Sequence, residues 1–458
     1  MTPAPSSGYA LVRGVTRALL GLFYEKIEVV GRENVPASGP LIVAANHHNS
    51  IVDAMLLIAT FERPLHVLAN APLFRHPLIG PFLRLMGGLP VHRRQEAGDD
   101  PEKNRALFAA TTEALGRGGA IALFPEGRTQ PEPALQAVRT GAARMLLAAE
   151  EARPGETPVV LLPVGLVFDR PGTFREGCAL VRVGPPVPTG DLVGEGAGAG
   201  LPPPARRLTD RLRDALRAQI IEADDRATLR LLRLTEEIRR DRRDEGGPAP
   251  SEADRVRWLQ AAMRAYRALL RTDPDRVAAF REALESFEED ARRSGFVSER
   301  LFRRYSFGSV TRFVAVEGFA LLVAAPLALC GLVLHGIPYR VTAWAVTKIP
   351  HTDEEEATDK MAAGLMIYPL CWLAEGAATF AIGRGRALAL FLLALPLTGF
   401  FALSWYERLQ RFRDEARAFV RFRRDRDAPQ RLRRRREALG RELRALAELE
   451  ESRAGSGA

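Results

Sequence analysis

Short apolar runs alternate with helical segments between residues 26 and 168, and this alternation constrains the fold more than any other feature. The clearest runs are LIVAA (41–45), AIALFP (120–125) and PVVLLPVGLVF (158–168). Uninterrupted runs of this length are typical of buried strands. Strands that alternate with helices indicate an α/β domain with a mostly parallel sheet. In such sheets, functional groups gather where strands end and loops begin, so the residues that follow each run are the first to consider.

Two histidines follow directly after the first run, in the stretch LIVAANHHNSIVD (41–53). Ser50 is predicted to be the N-cap of the next helix, which places Asp53 in its first turn. A carboxylate there can hold an imidazole, and a neutral imidazole held in this way can take a proton from an alcohol. We therefore predict that His48 is a general base oriented by Asp53, with direct attack by a bound hydroxyl. The structural alternative is that Asp53 only caps the helix and that His47 and His48 are ordinary loop residues.

Three later segments place further groups at or near predicted strand ends. They are GGLPVHRR (87–94), which contains Arg93, then FPEGRT (124–129), a turn that leaves a buried strand, and the apolar segment LLPVGL (161–166). A glycine in such a turn lets backbone N–H groups face a bound anion.

Together with HNSIVD (48–53), these segments resemble the four motifs of the glycerol-phosphate and lysophospholipid acyltransferase family, over about residues 26–220. The resemblance implies that His48 acts on the acceptor hydroxyl, in the family's HxxxxD motif, and that Asp53 orients it. Two departures are visible. His47 stands where the family usually has Asn, which makes it a minor candidate for the base, and the arginine of the FPEG turn is shifted by one position.

The resemblance also assigns the remaining site residues. It implies that Arg93 binds the phosphate of the acceptor, a bidentate task suited to a guanidinium. It implies that Glu126 and Gly127 shape the acceptor pocket and that Arg128 is a second anion contact. The acyl donor would be a thioester of coenzyme A or acyl carrier protein, with no bound cofactor and no covalent acyl-enzyme. The implied function is O-acyl transfer to a glycerol-phosphate or lysophospholipid acceptor in phospholipid biosynthesis.

Composition indicates a membrane protein rather than a nucleic-acid binder. The formal net charge is +9, and its basic clusters lie beside apolar segments, as expected at an anionic lipid surface. Three segments are long enough to span a bilayer, at 313–334, 361–382 and 387–406. Arginine-rich flanks on both sides predict an even number of crossings, with the active site facing the cytoplasm at the inner or plasma membrane. No nucleic-acid-binding motif is present, and the three cysteines have no paired spacing, which excludes a disulfide framework.

The predicted organisation has five parts, which are an interfacial membrane helix (1–25), the acyltransferase domain (26–222), a helical extension (223–300), membrane-embedded segments (313–406) and a charged cytoplasmic helical tail (407–458). Arg13 and Arg17 lie one turn apart in the first helix and would sit near lipid phosphates. The alternative for this helix is packing on the soluble domain. The alternative for the whole chain is a catalytically inactive, membrane-anchored interaction protein with an acyltransferase-like domain.

Overall fold

The computed structural model describes residues 7–75, 79–91, 101–129, 134–169, 177–194, 202–240, 251–294, 307–348, 356–424 and 427–456. The chain divides into two compact units. The first contains the chain up to Arg226 together with a segment that ends at Gln260, and the second contains most of the remainder.

Seven strands form the sheet of the first unit. They are β1 (Lys26–Val30), β2 (Leu41–Ala45), β3 (Leu65–Asn70), β4 (Leu89–Val91), β5 (Ala120–Leu123), β6 (Val160–Phe168) and β7 (Cys178–Val183). Their order is β1-β7-β6-β2-β5-β3-β4. Every neighbouring pair is parallel except β6 and β7, which are antiparallel. The predicted α/β class with a mostly parallel sheet is confirmed, whereas β7 was not predicted from the sequence.

Helices cover the sheet on both faces. Those of the first unit are α1 (Ser7–Phe23), α2 (Ser50–Thr60), α3 (Ile79–Leu85), α4 (Pro101–Gly116), α5 (Gly141–Glu151) and α6 (Pro204–Arg217). The core between the sheet and α4, α5 and α6 includes Ile42, Ile121 and Leu161, none of which is exposed. Alternate residues of β2, such as Val43, are equally buried and point to the opposite face. A strand buried on both faces must be apolar throughout, which explains the run LIVAA.

Helix α1 packs against α2. Arg13 and Arg17 donate hydrogen bonds to the backbone oxygens of Glu62 (3.3 Å) and Ala59 (2.9 Å) at the end of α2. Carbonyl groups at a helix C-terminus lack intrahelical donors and carry negative partial charge, so guanidinium groups stabilise them. The other face of α1 exposes Leu11 and Val15. The two arginines thus bind backbone groups at the end of α2, and the interfacial position of α1 stays a prediction.

The second unit is helical. It contains most of α7 (Arg226–Arg240) and α8 (Glu252–Thr272), then α9 (Pro274–Ser294), α10 (Phe307–Val346), α11 (Glu356–Arg424) and α12 (Ala428–Ser456). Helices α7, α8, α9 and α12 share a core that includes Leu231, Leu269, Leu284 and Leu439. A salt bridge from Arg276 of α9 to Glu442 of α12 measures 2.7 Å.

Two helices of this unit, within Ala315–Val346 and Asp359–Gln410, are long and apolar enough to cross a membrane. The second and third predicted segments are therefore parts of one helix, α11, which is kinked at Arg384 (φ 57°, ψ −153°). The α10–α11 contacts run antiparallel. Trp405 donates to the backbone oxygen of Leu321 (2.9 Å), and Arg408 pairs with Glu317 (3.1 Å). The beginning of α10 therefore lies beside the polar end of α11.

Candidate active site

The site is built where two neighbouring parallel strands end. Strands β2 and β5 pair in register, with Ala44 opposite Leu123. The carboxyl ends of parallel strands lie at the same edge of a sheet. The loop after β2, which contains His47, therefore meets the turn after β5, which contains Glu126. This placement explains how two segments about 80 residues apart in sequence contribute to one site.

Asp53 organises the loop between β2 and α2. Its side chain is completely buried, and its Oδ2 atom lies 2.9 Å from the Nδ1 atom of His47. The same oxygen accepts hydrogen bonds from the backbone N–H groups of His48 (2.8 Å) and Asn49 (2.8 Å). One carboxylate oxygen thus fixes both the path of the loop and the orientation of an imidazole. Helix capping and imidazole binding, which the sequence presented as alternatives, are combined in one residue.

The imidazole that Asp53 holds is that of His47, whereas the sequence led us to expect His48. The contact between His48 and Asp53 is made through the backbone. The reason is the local path of the chain. Helix α2 begins at Ser50, which has a positive φ of 46°, and its N-cap is Asn49 rather than Ser50. The chain therefore wraps around the carboxylate with two successive N–H groups, and the side chain of the preceding residue, His47, reaches Oδ2.

The other nitrogen of His47 points at a hydroxyl. Nε2 lies 3.2 Å from Oγ1 of Thr129, in the turn after β5. The imidazole also stacks on the ring of Phe124, with 4.1 Å between the ring centroids and 13° between the planes. If Nδ1 carries the proton that it donates to Asp53, Nε2 is the free base and the Thr129 hydroxyl is the donor. The ring is thus fixed at both nitrogens and along one face.

Glu126 binds the backbone of the same histidine. Its side chain accepts hydrogen bonds from the backbone N–H groups of His47 (2.8 Å) and Gln136 (3.0 Å). Glu126 is only 3% exposed. Burial raises the pKa of this carboxyl, although the two backbone hydrogen bonds and the neighbouring histidines oppose the shift. Each oxygen of Glu126 accepts one of these bonds, so the residue holds the loop in place, and its role in shaping the acceptor pocket stays a prediction.

Two asparagines complete the hold on the loop. Asn46 makes two hydrogen bonds to the backbone of Leu166 in β6, one as donor (2.9 Å) and one as acceptor (2.6 Å). The amide of Asn49 donates to the hydroxyl of Tyr24 (2.9 Å), which is nearly buried at the end of α1. Burial, with the nearby charge of Asp53, raises the pKa of Tyr24, which keeps this phenol neutral. Every residue from Asn46 to Asn49 is therefore held by at least one hydrogen bond.

The remaining predicted residues have different outcomes. Gly127 lies in the turn after β5 with a positive φ of 71°, a conformation that favours glycine. Arg128 is exposed on that turn. Arg93 lies outside the described residues, so its binding role stays a prediction, although β4, which precedes it, ends at the same edge of the sheet.

Sequence reasoning missed Tyr24, Asn49, Thr129 and Gln136 as parts of this site. Of these four, Thr129 could have been predicted most easily, because it lies in the segment FPEGRT. Tyr24 and Gln136 carry no local signal, since their contacts arise only from tertiary packing.

Comparison with known proteins shows what this part of the chain is similar to. Residues 26–167 match the family model described as Acyltransferase. This part of the chain is therefore similar to the acyltransferase family.

Among its relatives, a 1-acyl-sn-glycerol-3-phosphate acyltransferase from Saccharomyces cerevisiae is 30% identical over 211 residues, which cover 44% of this chain and 63% of that protein. A protein of the same description from Borreliella burgdorferi is 28% identical over 158 residues, which cover 34% and 58%. The chain therefore spans less than two thirds of the length of either relative. Among solved structures, the 1-acyl-sn-glycerophosphate acyltransferase PlsC from Thermotoga maritima matches 46% of this chain and 78% of its own, with a TM-score of 0.33 and 18% identity.

Proposed function

We propose that this protein is a membrane-bound O-acyltransferase of phospholipid biosynthesis. It moves a fatty acyl group from a thioester of coenzyme A or acyl carrier protein to the hydroxyl of a glycerol-phosphate or lysophospholipid acceptor. The descriptions of the relatives favour 1-acylglycerol 3-phosphate as the acceptor. The observation that carries the proposal is the His47 imidazole, held by buried Asp53 through one nitrogen and directed at a hydroxyl through the other.

His47 is the general base in this proposal. A base must lie within hydrogen-bonding distance of the proton it removes, and it is more effective when a carboxylate stabilises the cation that forms. The His47 side chain meets both conditions. The Thr129 hydroxyl, 3.2 Å from Nε2, marks a position that an acceptor hydroxyl could occupy. Sequence spacing instead predicted His48 for this role, and the two histidine variants described below test one against the other.

The reaction proceeds by direct transfer. The acceptor oxygen attacks the carbonyl carbon of the thioester while Nε2 of His47 takes the hydroxyl proton. The tetrahedral intermediate then collapses, the C–S bond breaks, and the imidazolium returns the proton to the leaving thiolate. The products are an oxygen ester and a free thiol, and the enzyme is unchanged. The Asp53 carboxylate stabilises the imidazolium during the intermediate.

Membrane attachment through α10 and α11 suits a substrate and a product that both carry long acyl chains. These helices expose many large apolar side chains, including Phe319, Leu322, Leu373 and Leu393. Exposed apolar surface of this extent is characteristic of contact with lipid. The arginine-rich flanks support a cytoplasmic position for the site.

The experiment is an acyl-transfer assay on membranes that carry the protein, with a labelled long-chain acyl thioester. Glycerol 3-phosphate, 1-acylglycerol 3-phosphate and neutral lyso-lipids are offered in parallel. His47→Ala is expected to reduce kcat by at least about a hundredfold, the lower range for loss of a general base. His48→Ala is the matched control, since it removes an adjacent imidazole but keeps the backbone N–H that Asp53 accepts.

The two variants distinguish the alternatives. A large loss with His48→Ala and a small loss with His47→Ala would return the role of base to His48. Equal activity of wild type and both variants would exclude histidine chemistry. Absence of transfer to any acceptor, from either class of thioester, would instead favour the inactive interaction protein.

A further inference from the structure

Arg139 lies over the turn that supports the catalytic histidine. A Cβ atom added to Gly127 would stand 3.0 Å from Nε and 3.1 Å from Cζ of Arg139. The guanidinium therefore rests close to the backbone of Gly127, where an added Cβ would have to displace it by a few tenths of an ångström. The backbone N–H of Arg139 donates to the carbonyl of Pro125 (2.9 Å), which anchors the residue to the same turn.

This guanidinium is held at the site itself. Gly127 stands between Glu126, which binds the backbone of His47, and Thr129, whose hydroxyl contacts the imidazole. A group that rests on Gly127 is thus one or two residues away from both contacts with the base. Arg139 is exposed, so a ligand can approach it from solvent.

The side chain of Arg139 has no polar partner among the described residues. Within the described ranges, its side chain forms no hydrogen bond or ion pair, whereas nearby arginines are engaged. Arg144 lies over the ring of Phe108, 5.1 Å from its centroid, and Arg153 pairs with Glu156 at 3.1 Å. Among the described residues, therefore, nothing competes with a ligand for this guanidinium.

The surroundings favour an anion. Arg139 precedes α5, whose first turn contains no acidic residue and whose N-cap, Thr140, makes no side-chain capping bond. The N-terminus of a helix carries positive partial charge and unsatisfied N–H groups. Arg128 adds a second exposed cation on the adjacent turn. A guanidinium binds phosphate through two parallel hydrogen bonds, which a neutral ligand cannot match.

We propose that Arg139 binds a phosphate group of a substrate beside His47. This inference deepens the proposed function and rests on it for the identity of the substrates. Two sources share the chemistry, which are the phosphate of the acceptor and the phosphates of a coenzyme A donor.

The test measures binding to the purified full-length chain in detergent micelles, by titration calorimetry. Glycerol 3-phosphate represents the acceptor and coenzyme A the donor. Arg139→Gln is expected to weaken binding of one ligand by about ten- to a hundredfold, the range for a charge-assisted hydrogen bond. Arg139→Lys keeps the charge but loses the planar guanidinium, so its affinity for that ligand is expected to lie between those of the wild type and Arg139→Gln. Arg117→Gln is the matched control, because it removes an equal charge from an exposed arginine paired with Glu113.

Each outcome decides the inference. Weaker binding of glycerol 3-phosphate alone assigns Arg139 to the acceptor phosphate, and weaker binding of coenzyme A alone assigns it to the donor. Unchanged binding of both ligands, equal weakening by Arg117→Gln, or a wild-type protein that binds neither ligand would overturn it. A wild-type protein that binds phosphate through Arg139 but transfers no acyl group would refute the proposed function and leave the phosphate site standing.

Discussion

Replacing Asp53 by asparagine separates the two tasks of this carboxylate. The Asn oxygen can occupy the position of Oδ2 and accept the same three bonds, from the His47 ring and from the N–H groups of His48 and Asn49. The amide nitrogen would then take the place of Oδ1, which makes no hydrogen bond within the described residues. The geometry of the loop is therefore retained while the negative charge is lost.

The expected cost to catalysis follows from electrostatics. The centres of an imidazolium and a carboxylate in this contact lie about 4 Å apart, which corresponds to about 4 kcal/mol at an effective dielectric constant of about 20. The attraction is present only when the imidazole is protonated, so its loss raises the barrier and not the energy of the ground state. Asp53→Asn is therefore expected to lower kcat by about three orders of magnitude.

Stability provides the control. Asp53→Asn is expected to change the free energy of unfolding by no more than about 1–2 kcal/mol, because the hydrogen bonds remain. Asp53→Ala leaves three donors without their acceptor and is expected to cost about 3 kcal/mol or more. The assays are acyl transfer under saturating substrates and thermal melting of the purified variants. An Asp53→Asn enzyme with kcat within threefold of wild type would show that no imidazolium forms beside Asp53, and an Asn variant as unstable as the Ala variant would refute the hydrogen-bond argument.

Three further predictions concern the turn after β5. Direct transfer predicts that Thr129→Val keeps kcat within about tenfold of wild type, because the hydroxyl contributes at most one hydrogen bond. The prediction would be contradicted if the variant lost all activity and mass spectrometry detected an acyl-threonine in the wild-type protein. Gly127→Ala is expected to lower the free energy of unfolding by about 1–2 kcal/mol, since the φ of Gly127 is 71°. An unchanged melting temperature would refute this loss of stability. The same substitution is expected to weaken phosphate binding by displacing Arg139. Because the folded pKa of Glu126 is raised, this residue makes stability decrease as pH rises from its ordinary pKa through the raised value. Glu126→Gln should be less stable but should lack this decrease, which melting curves between pH 4 and pH 8 would test.

The sequence predicted the location of the site because strand ends are readable from composition. A fully buried strand must be apolar, so β2 and β5 were visible, and their parallel pairing brings His47 and Glu126 to one edge. The antiparallel strand β7 was missed because CALVRV is short and is interrupted by Arg182, although the Pro-Gly pair at 171–172 that precedes it is a turn signal.

The identity of the paired histidine could not be read from spacing. His47 and His48 differ by one residue, and the choice between them depends on backbone angles in the loop, above all the positive φ of Ser50. A serine in that conformation is uncommon and has no signature in sequence. The position of Arg139 against Gly127 also could not be predicted from the sequence, because it depends on the path of the chain after the turn.

The shared core of α9 and α12 has a consequence for the order in which this protein is made. The partners of Phe287 and Leu284 on α12, such as Leu439, are translated only after both apolar helices, α10 and α11. During that interval the apolar side of α9 has no complete cover, and α10 and α11 have already become available for insertion. If α10 and α11 cross a membrane as proposed, α12 can pack on α9 only when the segments between them have returned the chain to its starting side. In a copy whose α11 does not return, α12 would not pack on α9. The exposed apolar side of α9 would distinguish that copy from a correctly inserted molecule.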